Sequence, residues 1–571
     1  MFVTDGELVV SATDLVGFLH CEHLAWLERM VANGELSRPV SDHPMLELLR
    51  EQGNRHERAY LERLRADGDE VVDVSIARPP RVEGAARTPP RPPTEGAAAT
   101  RRAMERGATV IYQAALVDDS SSPTVIGYAD FLRRIDAPSE LGEWSYEPED
   151  TKLSSHVSAW AVLQLCSYAE QIARILGREP ELIHVVLGSG ETVSIRLAEI
   201  SAYFRAAITR FDRFLVAAPE EMPYPLPVSH CARCSWASRC AQRWRHDDHL
   251  SQVAFMRMDQ VRKFERSGIT TMAALAEQPE GLTVDGIGTP TVARLQRQAR
   301  LQHAAIPGSP PPWEAVTDFE VGLGLSMLPA PSPGDVFYDI EGHPYAIPGG
   351  LEYLHGFATI DTGEFIFDRR WAHSISEERA AFEFLIDFFT ERWRRWPDMH
   401  VYHYAHYEVT ALKKMAFRHG TREDELDDLL RAEVFVDLYK VVRQGVVIGV
   451  SSYSIKRLEP LYMQPREGEI GNGGSSILEY ERWRNDEDQA ILDEIESYNR
   501  DDVESTWLLR TWLEERRTEL IGQGVPVPRP ELKDITPGGH IDAELLALRN
   551  RLLDGIDPAE IERVRSSQWL H

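Results

Sequence analysis

Between residues 97 and 177 the order of apolar and polar residues predicts a helix, three strands and a second, longer helix. The three strand patterns read TVIYQAALV, TVIGYADFLRR and WSYEPEDTKLS, and the long helical pattern AWAVLQLCSYAEQIARILG follows them. Successive strand residues point to opposite faces, so Asp150 and Lys152 share one face of the third strand. The neighbouring strand can bring Asp130 beside them. Two carboxylates and an ammonium at one point are what metal-dependent phosphodiester hydrolysis requires.

A second region with paired acidic residues begins near residue 335. The strand pattern DVFYDIEG places Asp339 and Glu341 on one side of a strand, and the helical pattern SYNRDDVESTWLLRTWLEERR places Tyr498 and Asp502 on one helix face. Between them, HVYHYAHYEVTALKKMA predicts a strand that leads into a helix, with Glu408 at the junction. The alternatives are two solvated acids on a surface strand and a helix N-terminus enriched in acids by its dipole.

The chain has 571 residues, which is too long for a single core and suggests roughly three or four domains at about 150 residues each. The strand and helix patterns of the two acidic regions predict a multidomain α/β protein. Between the two acidic regions, Gly286-Ile287-Gly288 opens a helical pattern, and such a turn can present backbone N–H groups to a phosphate, as helix-hairpin-helix modules do. The alternative is a plain helical spacer with a glycine turn. We predict a first domain at 1–248, a helical linker at 249–315, a third unit at 316–525 and a helical tail at 526–571.

The net charge of −29 argues against broad electrostatic capture of nucleic acid, so any contact with DNA must be local. One candidate is the segment 231–245, which carries four arginines and no acidic residue. Only seven of the 62 basic residues are lysines, and Lys152 is the only lysine among the first 262 residues. A lysine in such an arginine-rich chain indicates a need for a compact ammonium group.

Four of the five cysteines form a pattern that suits a metal cluster. Cys231, Cys234 and Cys240 are closely spaced, and Cys21 lies far upstream, so together they can supply four thiolates to one zinc ion or one iron-sulfur cluster. The fifth, Cys166, lies in a helical pattern and is expected to be a buried apolar residue. The N-terminus reads neither as a secretory signal nor as a membrane span, so we expect a cytoplasmic protein, in which cysteines favour metal ligation over disulfides.

Residues 8–245 resemble the RecB-type PD-(D/E)xK nucleases that carry an iron-sulfur cluster, a group that includes CRISPR-associated and AddB-type exonucleases. The usual glutamate of the family's central motif is aspartate here, at position 150. The motifs occur in the family's order, namely Cys21, His56, Gly127-x-x-Asp130, Asp150-x-Lys152, Gln164-x-x-x-Tyr168 and the three downstream cysteines.

This resemblance implies a restriction-endonuclease-like core closed by a 4Fe-4S cluster on the four cysteines, with zinc as the alternative. It further implies Mg²⁺ or Mn²⁺ at Asp130, Asp150 and His56. Lys152 would assist the attacking water, and Gln164 would position the substrate. Tyr168 lies one helical turn from Gln164 and would face the same cleft.

The third unit resembles the RNase H-like DEDD exonucleases of the tyrosine subtype, whose motifs read D-x-E, a central acid and Y-x-x-x-D. The segment YSIKRLEPLY supports the same group. The central acid is normally aspartate and aligns here with Glu408, while Asp437 is an alternative ligand with a more usual structural role. The resemblance implies a two-metal site built from Asp339, Glu341, Glu408 and Asp502, with Tyr498 orienting the water.

Both resemblances imply a metal-dependent DNA nuclease that acts on single strands or DNA ends, in repair or end processing. Long relatives of this arrangement continue into a superfamily 1 helicase, so a fused or separate helicase is the expected partner. The chain has no GxxxxGK[ST] motif and is not expected to hydrolyse ATP itself. The alternatives are a DNA-end-binding scaffold with one or both sites vestigial, and RNA as the substrate of the third unit.

Overall fold

The computed structural model divides the chain into two compact units, Met1–Arg243 and Trp244–His571. Most of the predicted helical tail lies outside the described residues, so that prediction is not addressed by the structure. The structure describes residues 1–39, 44–75, 93–120, 122–217, 221–318, 320–361, 363–466, 473–533, 547–548 and 551–552.

The first unit combines one mixed sheet with surrounding helices. Its strands in the described residues are β1 Phe2–Thr4, β2 Glu7–Ser11, β3 Val71–Asp73, β4 Val110–Asp118, β5 Thr124–Ile135, β6 Ser145–Thr151, β7 Leu182–Val186 and β8 Thr192–Arg196. Its helices there are α1 Ala12–His20, α2 Glu22–Ala32, α3 Pro44–Ala66, α4 Thr94–Glu105, α5 Ala159–Leu176, α6 Leu197–Ala217 and α7 Ala237–His246.

The sheet of the first unit runs in the order β1-β2-β5-β6-β7-β8, and β4 also pairs with β5 and carries β3. Strand β6 is antiparallel to β5 and parallel to β7, so α5 forms the crossover between β6 and β7. Every residue of β6 is buried, as expected for a strand covered on both faces. Helix α5 begins at the Ser158 cap and ends at Gly177, whose φ of 68° requires the left-handed region that glycine tolerates.

The second unit contains a mixed sheet, a small two-stranded sheet and several helices. Its strands in the described residues are β9 Trp313–Ala315, β10 Val336–His343, β11 Leu351–Asp361, β12 Glu364–Trp371, β13 Val401–His403, β14 Phe435–Asp437 and β15 Val446–Ile448. Its helices there are α8 Met258–Arg266, α9 Met272–Ala276, α10 Thr289–Ala304, α11 Ile375–Arg395, α12 Tyr407–His419, α13 Glu423–Arg431, α14 Leu438–Gly445, α15 Ile455–Leu458, α16 Gly473–Asp486 and α17 Gln489–Gly522.

The main sheet of the second unit has the order β12-β11-β10-β13-β14. Strands β10, β11 and β12 form an antiparallel meander, whereas β13 and β14 join β10 in parallel. Apolar side chains cover both faces of this sheet, with Phe337 in one cluster and Tyr338 in the other. The long helix α17 packs on β10 and β11. The strand with the predicted pair Asp339 and Glu341 is therefore the centre of the sheet.

Helices α8, α9 and α10 of the predicted linker form their own apolar core within the second unit. This helical module is fixed to the strand β15 by polar contacts. The Gln298 amide donates a hydrogen bond to the Ile448 carbonyl at 2.7 Å, and the Tyr453 hydroxyl donates one to the Gln298 amide oxygen at 2.9 Å. Gly286 has a φ of 74°, and its carbonyl accepts a hydrogen bond from Lys263 at 2.9 Å.

Among the described residues, no helix has both the length and the apolar composition that crossing a membrane requires.

Candidate functional site

Asp130 and Asp150 lie side by side on neighbouring strands of the first unit. The antiparallel register that pairs Phe131 with Glu149 makes Asp130 the neighbour of Asp150. Asp130 accepts hydrogen bonds from the Thr151 backbone N–H at 2.9 Å and from the Thr151 hydroxyl at 3.0 Å. Burial, and then the negative charge of Asp130, hold the pKa of Asp150 well above its ordinary value. These two carboxylates therefore favour a shared proton or a bound cation.

Lys152 brings an ammonium group to the same carboxylates. Its side chain forms an ion pair with Asp150, and its backbone N–H donates a hydrogen bond to the Val186 carbonyl at 2.8 Å. Burial acts to lower the pKa of Lys152, but the charges of Asp150 and Asp130 outweigh it and the pKa is raised. Lys152 therefore stays charged beside Asp150.

Gln164 and Tyr168 lie on α5, where the Gln164 amide donates a hydrogen bond to the Tyr168 hydroxyl at 2.7 Å. Burial, and then the charge of Asp150, raise the pKa of Tyr168. A Cβ on Gly127 would lie 2.9 Å from the Tyr168 ring and from the Gln171 amide. Glycine at this position thus allows α5 to approach β5, which explains the glycine three residues before Asp130.

Glu57 is a residue of this site that the sequence analysis missed. Its carboxylate accepts a hydrogen bond from the Gln113 amide at 2.6 Å, and burial followed by the charge of Asp130 raises its pKa. Gln113 has a φ of 54° and interrupts the β4–β5 pairing opposite Asp130. The only sequence signal for Glu57 was its position directly after the predicted ligand His56. That signal is weak, because a helix turns by about 100° per residue and adjacent residues do not share a face.

The predicted ligand His56 lies on α3, and its Nε2 atom is buried without a hydrogen-bond partner in the described part of the chain. The structure does not gather it with Asp130 and Asp150 into a compact ligand set. Within the described residues, the one group of three or more His, Cys, Asp or Glu ligand atoms within 4.8 Å of one another lies in the second unit. The first unit therefore has a pair of carboxylates and a lysine at this point.

The four cysteines are free thiols in the structure. Burial raises the pKa of Cys240 to about 11, and the next contributions come from Cys234, Cys21 and Cys231. Burial likewise raises the pKa of Cys21, with a smaller contribution from Cys231. The thiols therefore influence one another, although they do not form a ligand group within the 4.8 Å that the described residues were tested for. Cys166 lies on α5 and is buried in the core, as expected.

The second unit brings three carboxylates together. Asp339 and Glu341 come from the central strand β10 and Asp502 from α17, and one ligand oxygen of each lies within 4.8 Å of the other two. Burial and the charge of Asp502 raise the pKa of Asp339 well above its ordinary value and that of Glu341 to about 8. Helix α17 begins at Gln489, so Asp502 is not in its first turn, and the helix dipole does not account for it.

A glycine on the neighbouring strand allows Asp339 to be held from α17. The Asn499 amide donates a hydrogen bond to Asp339 at 2.7 Å. Gly356 is the register partner of Asp339 on β11, and a Cβ there would overlap the Asn499 side chain. The absence of a side chain at residue 356 therefore leaves the space through which α17 reaches the strand.

Glu408 is buried at the start of α12, 3.3 Å from the Nδ1 atom of His403. Its charge contributes to the raised pKa of Asp339, after burial, Asp502 and Glu341, so the structure places it near the carboxylate group. Asp437 has a different position, because it accepts hydrogen bonds from the Ala405 and Tyr439 backbone N–H groups at 2.9 Å and caps α14. Of the two candidate central acids, Glu408 is the one near the group.

Tyr498 lies beside these carboxylates together with a lysine that the sequence analysis did not single out. The Lys456 ammonium donates a hydrogen bond to the Tyr498 hydroxyl and lies 3.9 Å from the centre of its ring. Burial, and then the charges of Asp502, Glu341 and Asp339, raise the pKa of Tyr498, so its hydroxyl keeps its proton. The scarcity of lysine that marked Lys152 does not single out Lys456, because the other six lysines of the chain all lie between residues 263 and 533.

Arg466 also contacts the group, with its guanidinium 2.6 Å from Asp502 and in an ion pair with Glu459. Asp502, one of the three clustered carboxylates, therefore already has a positively charged neighbour in Arg466. Asp339 has no such contact among the described residues and is balanced only by the Asn499 amide.

The donor set fits a hard divalent cation. Mg²⁺ and Mn²⁺ prefer carboxylate oxygens, and Asp339, Glu341 and Asp502 supply three of them at one point. Burial raises the pKa of all three carboxyl groups, and the charge of Asp502 raises the pKa of Asp339 and Glu341 further, so repulsion between the carboxylates adds to the effect of burial. A cation at this point removes that repulsion.

Comparison with known proteins agrees with this fold. Residues 336–514 match the family model of the RNase_H superfamily, and this range contains β10 to β15 and all the carboxylates of the second site. A search of curated proteins found no match to the chain. The second unit therefore contains an RNase H-like domain, and its fold together with its acidic group suggests a nuclease-like function.

Proposed function

We propose that this protein is a metal-dependent DNA nuclease whose RNase H-like domain removes nucleotides from single strands or DNA ends. The observation that carries the proposal is the meeting of the Asp339, Glu341 and Asp502 oxygens within 4.8 Å on a domain of RNase H type. Asp339 and Glu341 on the central strand, with Asp502 and Glu408 from two helices, place four carboxylates close together in a well-packed domain, which would be costly without a function.

In this proposal Asp339, Glu341 and Asp502 hold the divalent cations, and Glu408 supports them from α12. Bound cations polarise the phosphate and lower the pKa of the attacking water. The Tyr498 hydroxyl, kept protonated by its surroundings, orients that water, and Lys456 holds the hydroxyl in place. Asn499 positions Asp339 through its hydrogen bond.

The test is nucleotide release from end-labelled single-stranded DNA by the full chain, with Mn²⁺, with Mg²⁺ and with EDTA. We expect release with either metal and none with EDTA. Asp502→Asn removes a ligand charge from α17 and should abolish the release contributed by this domain. Asp493→Asn is the matched control, because Asp493 is an exposed aspartate on the same helix and bonds only to Gln489 in the structure.

Equal activity of Asp502→Asn and Asp493→Asn would contradict the assignment of this domain as a nuclease. Because the first unit is a second candidate nuclease, the comparison is repeated on a Lys152→Ala background. Activity that survives in the Lys152→Ala protein and disappears in the combined variant belongs to the RNase H-like domain.

For the first unit we propose a second nuclease site of the PD-(D/E)xK type. The adjacency of Asp130 and Asp150, the ion pair of Lys152 and the contact between Gln164 and Tyr168 support it. Lys152 assists the water, Gln164 positions the substrate, and the two carboxylates hold Mg²⁺ or Mn²⁺. Glu57 joins the set that sequence analysis had indicated. On the same helix, the buried Nε2 atom of His56 has no hydrogen-bond partner among the residues that the structure describes.

We further propose that the four cysteines hold a 4Fe-4S cluster. Their mutual influence on pKa supports a shared site. Around a single tetrahedral zinc ion, with Zn–S bonds of about 2.3 Å, the sulfurs would lie about 3.8 Å apart. The described residues show no cysteine group that compact. In an iron-sulfur cluster each thiolate binds a different iron, which spaces the sulfurs more widely.

One observation favours the alternative of a DNA-end-binding scaffold, namely the contact of Arg466 with the ligand carboxylate of Asp502. Under this alternative the acidic site is vestigial, and the protein positions a helicase. Tight binding of DNA without metal-dependent cleavage would support it. RNA as the substrate of the RNase H-like domain is tested by the same assay with matched RNA and DNA strands. The cytoplasmic location and the helicase partner stay predictions.

A further inference from the structure

Two adjoining cavities lie on the second unit between the helical module and the RNase H-like domain. One has a volume of about 540 Å³ and includes Phe255, and the other has a volume of about 490 Å³ and includes Arg443. Ala405 and Tyr439 line both cavities, so the two form one continuous groove. We refer to it as the Phe255 groove.

We propose that the Phe255 groove binds single-stranded nucleic acid and leads it to the carboxylate group of the RNase H-like domain. This inference rests on the proposed function, because it assigns the path by which the substrate of that domain is held. The groove combines aromatic rings with arginines that form no ion pair with a carboxylate among the described residues. Proteins bind single-stranded nucleic acid with this combination of rings and positive charge.

The cations of the groove are Arg294 and Arg443, which both lie over the ring of Phe255. Their guanidinium carbons are 5.5 Å and 4.9 Å from the ring centre. Both side chains are exposed, and within the described residues neither lies at ion-pair distance from a carboxylate. Two positively charged guanidinium groups thus lie over one ring, in a chain whose net charge is −29. A phosphate group stabilises this arrangement because it supplies negative charge to both.

One carboxylate does line the groove, but it is engaged in the fold. Asp437 caps α14 through the Ala405 and Tyr439 backbone N–H groups, and Lys440 lies 4.0 Å from its second oxygen. Lys440 lines the same cavity and adds a third cation. The groove therefore keeps a positive balance.

The aromatic side of the groove consists of Phe255, Tyr404, Tyr439 and Tyr453. Phe255 meets Tyr453 edge to face, with ring centres 4.7 Å apart, and Tyr404 meets Tyr439 in the same way at 5.7 Å. Tyr453 is buried and packs against Phe255, so the half-buried rings of Phe255, Tyr404 and Tyr439 are the ones on which a base can stack. In a duplex the bases are stacked on one another and cannot reach these rings, so the groove should prefer single strands.

Both walls of the groove continue along the chain into the proposed catalytic residues. On one wall, residues 404–406 directly precede Tyr407 and Glu408, the first two residues of α12. The wall of residues 451–455 ends directly before Lys456, which contacts Tyr498. The groove is therefore adjacent along the chain to Glu408 and Lys456, whose charges act on the carboxylate group.

Two residues of the groove have a positive φ, a backbone conformation that residues other than glycine rarely adopt. Phe255 has a φ of 66° and Ala405 a φ of 71°. Non-glycine residues at positive φ are uncommon and are found more often at ligand-binding positions. Here they place the Phe255 ring under the two arginines and shape the turn before α12.

The test uses the full chain and a fluorescein-labelled 12-nucleotide oligothymidylate, with binding measured by fluorescence anisotropy in EDTA so that no cleavage occurs. We expect Arg294→Gln combined with Arg443→Gln to weaken binding at least about tenfold at low salt. The slope of log affinity against log salt should fall by about 1.4, or about 0.7 for each lost phosphate contact. Arg300→Gln is the matched control, since Arg300 is exposed on the same helix and pairs with Glu280.

Two further measurements locate the strand and separate this inference from the proposed function. Photocrosslinking with 4-thiothymidine should label peptides that contain Tyr439 or residues 451–455. Bis(p-nitrophenyl) phosphate is too small to need the groove. On the Lys152→Ala background, its hydrolysis with Mn²⁺ should be unchanged in the double arginine variant and lost in the Asp339→Asn and Asp502→Asn variants.

Three results of the binding and crosslinking experiments would each overturn the inference. They are equal binding by the double arginine and Arg300→Gln variants, crosslinks confined to the first unit, and equal affinity for a hairpin duplex. If the carboxylate variants leave hydrolysis unchanged, the proposed function fails. The binding and crosslinking results would still show whether the Phe255 groove binds single-stranded nucleic acid. Loss of small-substrate hydrolysis in the double arginine variant would show a structural role and would also overturn it.

Discussion

The two candidate sites of this protein differ in how the negative charge of their carboxylates is balanced. In the first unit a lysine that follows the strand directly, Lys152, forms an ion pair with Asp150. In the second unit, among the described residues, Asp339 and Glu341 have only an amide and hydroxyl groups as hydrogen-bond partners, and the positive charge of Arg466 lies at Asp502. The first site therefore carries part of its counter-charge in its own motif. The second depends more strongly on a bound cation.

The same comparison shows one feature that the sites share. In each, a helix lies against a strand at a glycine, with Gly127 under α5 in the first unit and Gly356 under α17 in the second. The helix can then bring a polar side chain, Tyr168 or Asn499, down to the acidic strand. Close approach of a helix to a sheet is thus a common requirement of both sites, although their charge balance differs.

The largest expected difference concerns what each unit needs in order to fold. If the cysteines hold a 4Fe-4S cluster, Cys240→Ser should remove the visible absorption and the iron and should unfold the first unit, because cluster binding is coupled to its folding. The unfolding transition of the second unit in calorimetry should be unchanged. Cys166→Ala is the control and should keep the iron. Equal iron content in both variants would contradict the cluster.

The next largest effect separates the two activities. Asp339→Asn should lower nucleotide release by the second site about 10³-fold, since a metal site supplies several kcal/mol of transition-state stabilisation. Asp150→Asn should do the same for the first site. Each single variant should keep the activity of the other site, and the double variant should lose all release of end-labelled DNA. A single variant that already loses all release would show that the sites are not independent.

A smaller effect is a pH dependence of stability in the second unit. Burial lowers the pKa of His355 from 6.5 to about 4. Between these values the unfolded chain binds the proton and the folded chain does not, so stability falls as the pH falls from 6.5 towards 4, by at most about 3 kcal/mol. Urea unfolding at pH 7 and pH 5 should show a smaller difference for His355→Gln than for the unchanged chain. His303→Gln, an exposed control, should leave the difference as it is.

The smallest effect tests the glycine parallel between the sites. Gly127→Ala and Gly356→Ala each place a Cβ against the approaching helix and should cost about 1–3 kcal/mol of stability in their own unit, because overpacking forces the backbone apart. Gly53→Ala, on a helix with open space around it, should not destabilise. Thermal unfolding that assigns no loss to either site variant would show that the helices can shift without cost.

Strand and helix periodicity already determined much of each site. Alternation along β10 required Asp339 and Glu341 to share a face, and helical spacing required the same of Tyr498 and Asp502. The predicted order of strands and helices around Asp130, Asp150 and Gln164 also agrees with the structure. These are local relations, and backbone geometry alone produces them.

Other members of the sites could not be predicted, because they arrive from distant parts of the chain. Glu57 reaches the first site from a helix before the strands, and Lys456 and Asn499 reach the second from separate helices. Their positions depend on how those helices pack, and packing is set by apolar residues far from the acids. The two arginines over Phe255 are another such case.

The sequence by itself determined the residue types, their order and the pairs that share a strand or helix face. Only the tertiary structure decided that Asp502 meets Asp339 and Glu341 within 4.8 Å, that Glu408 lies near them, and that His56 stays outside a compact ligand set. The physical reason is distance along the chain. Local spacing follows from backbone geometry, whereas contacts between remote elements follow from which apolar faces pack together and where a glycine lets a helix come close.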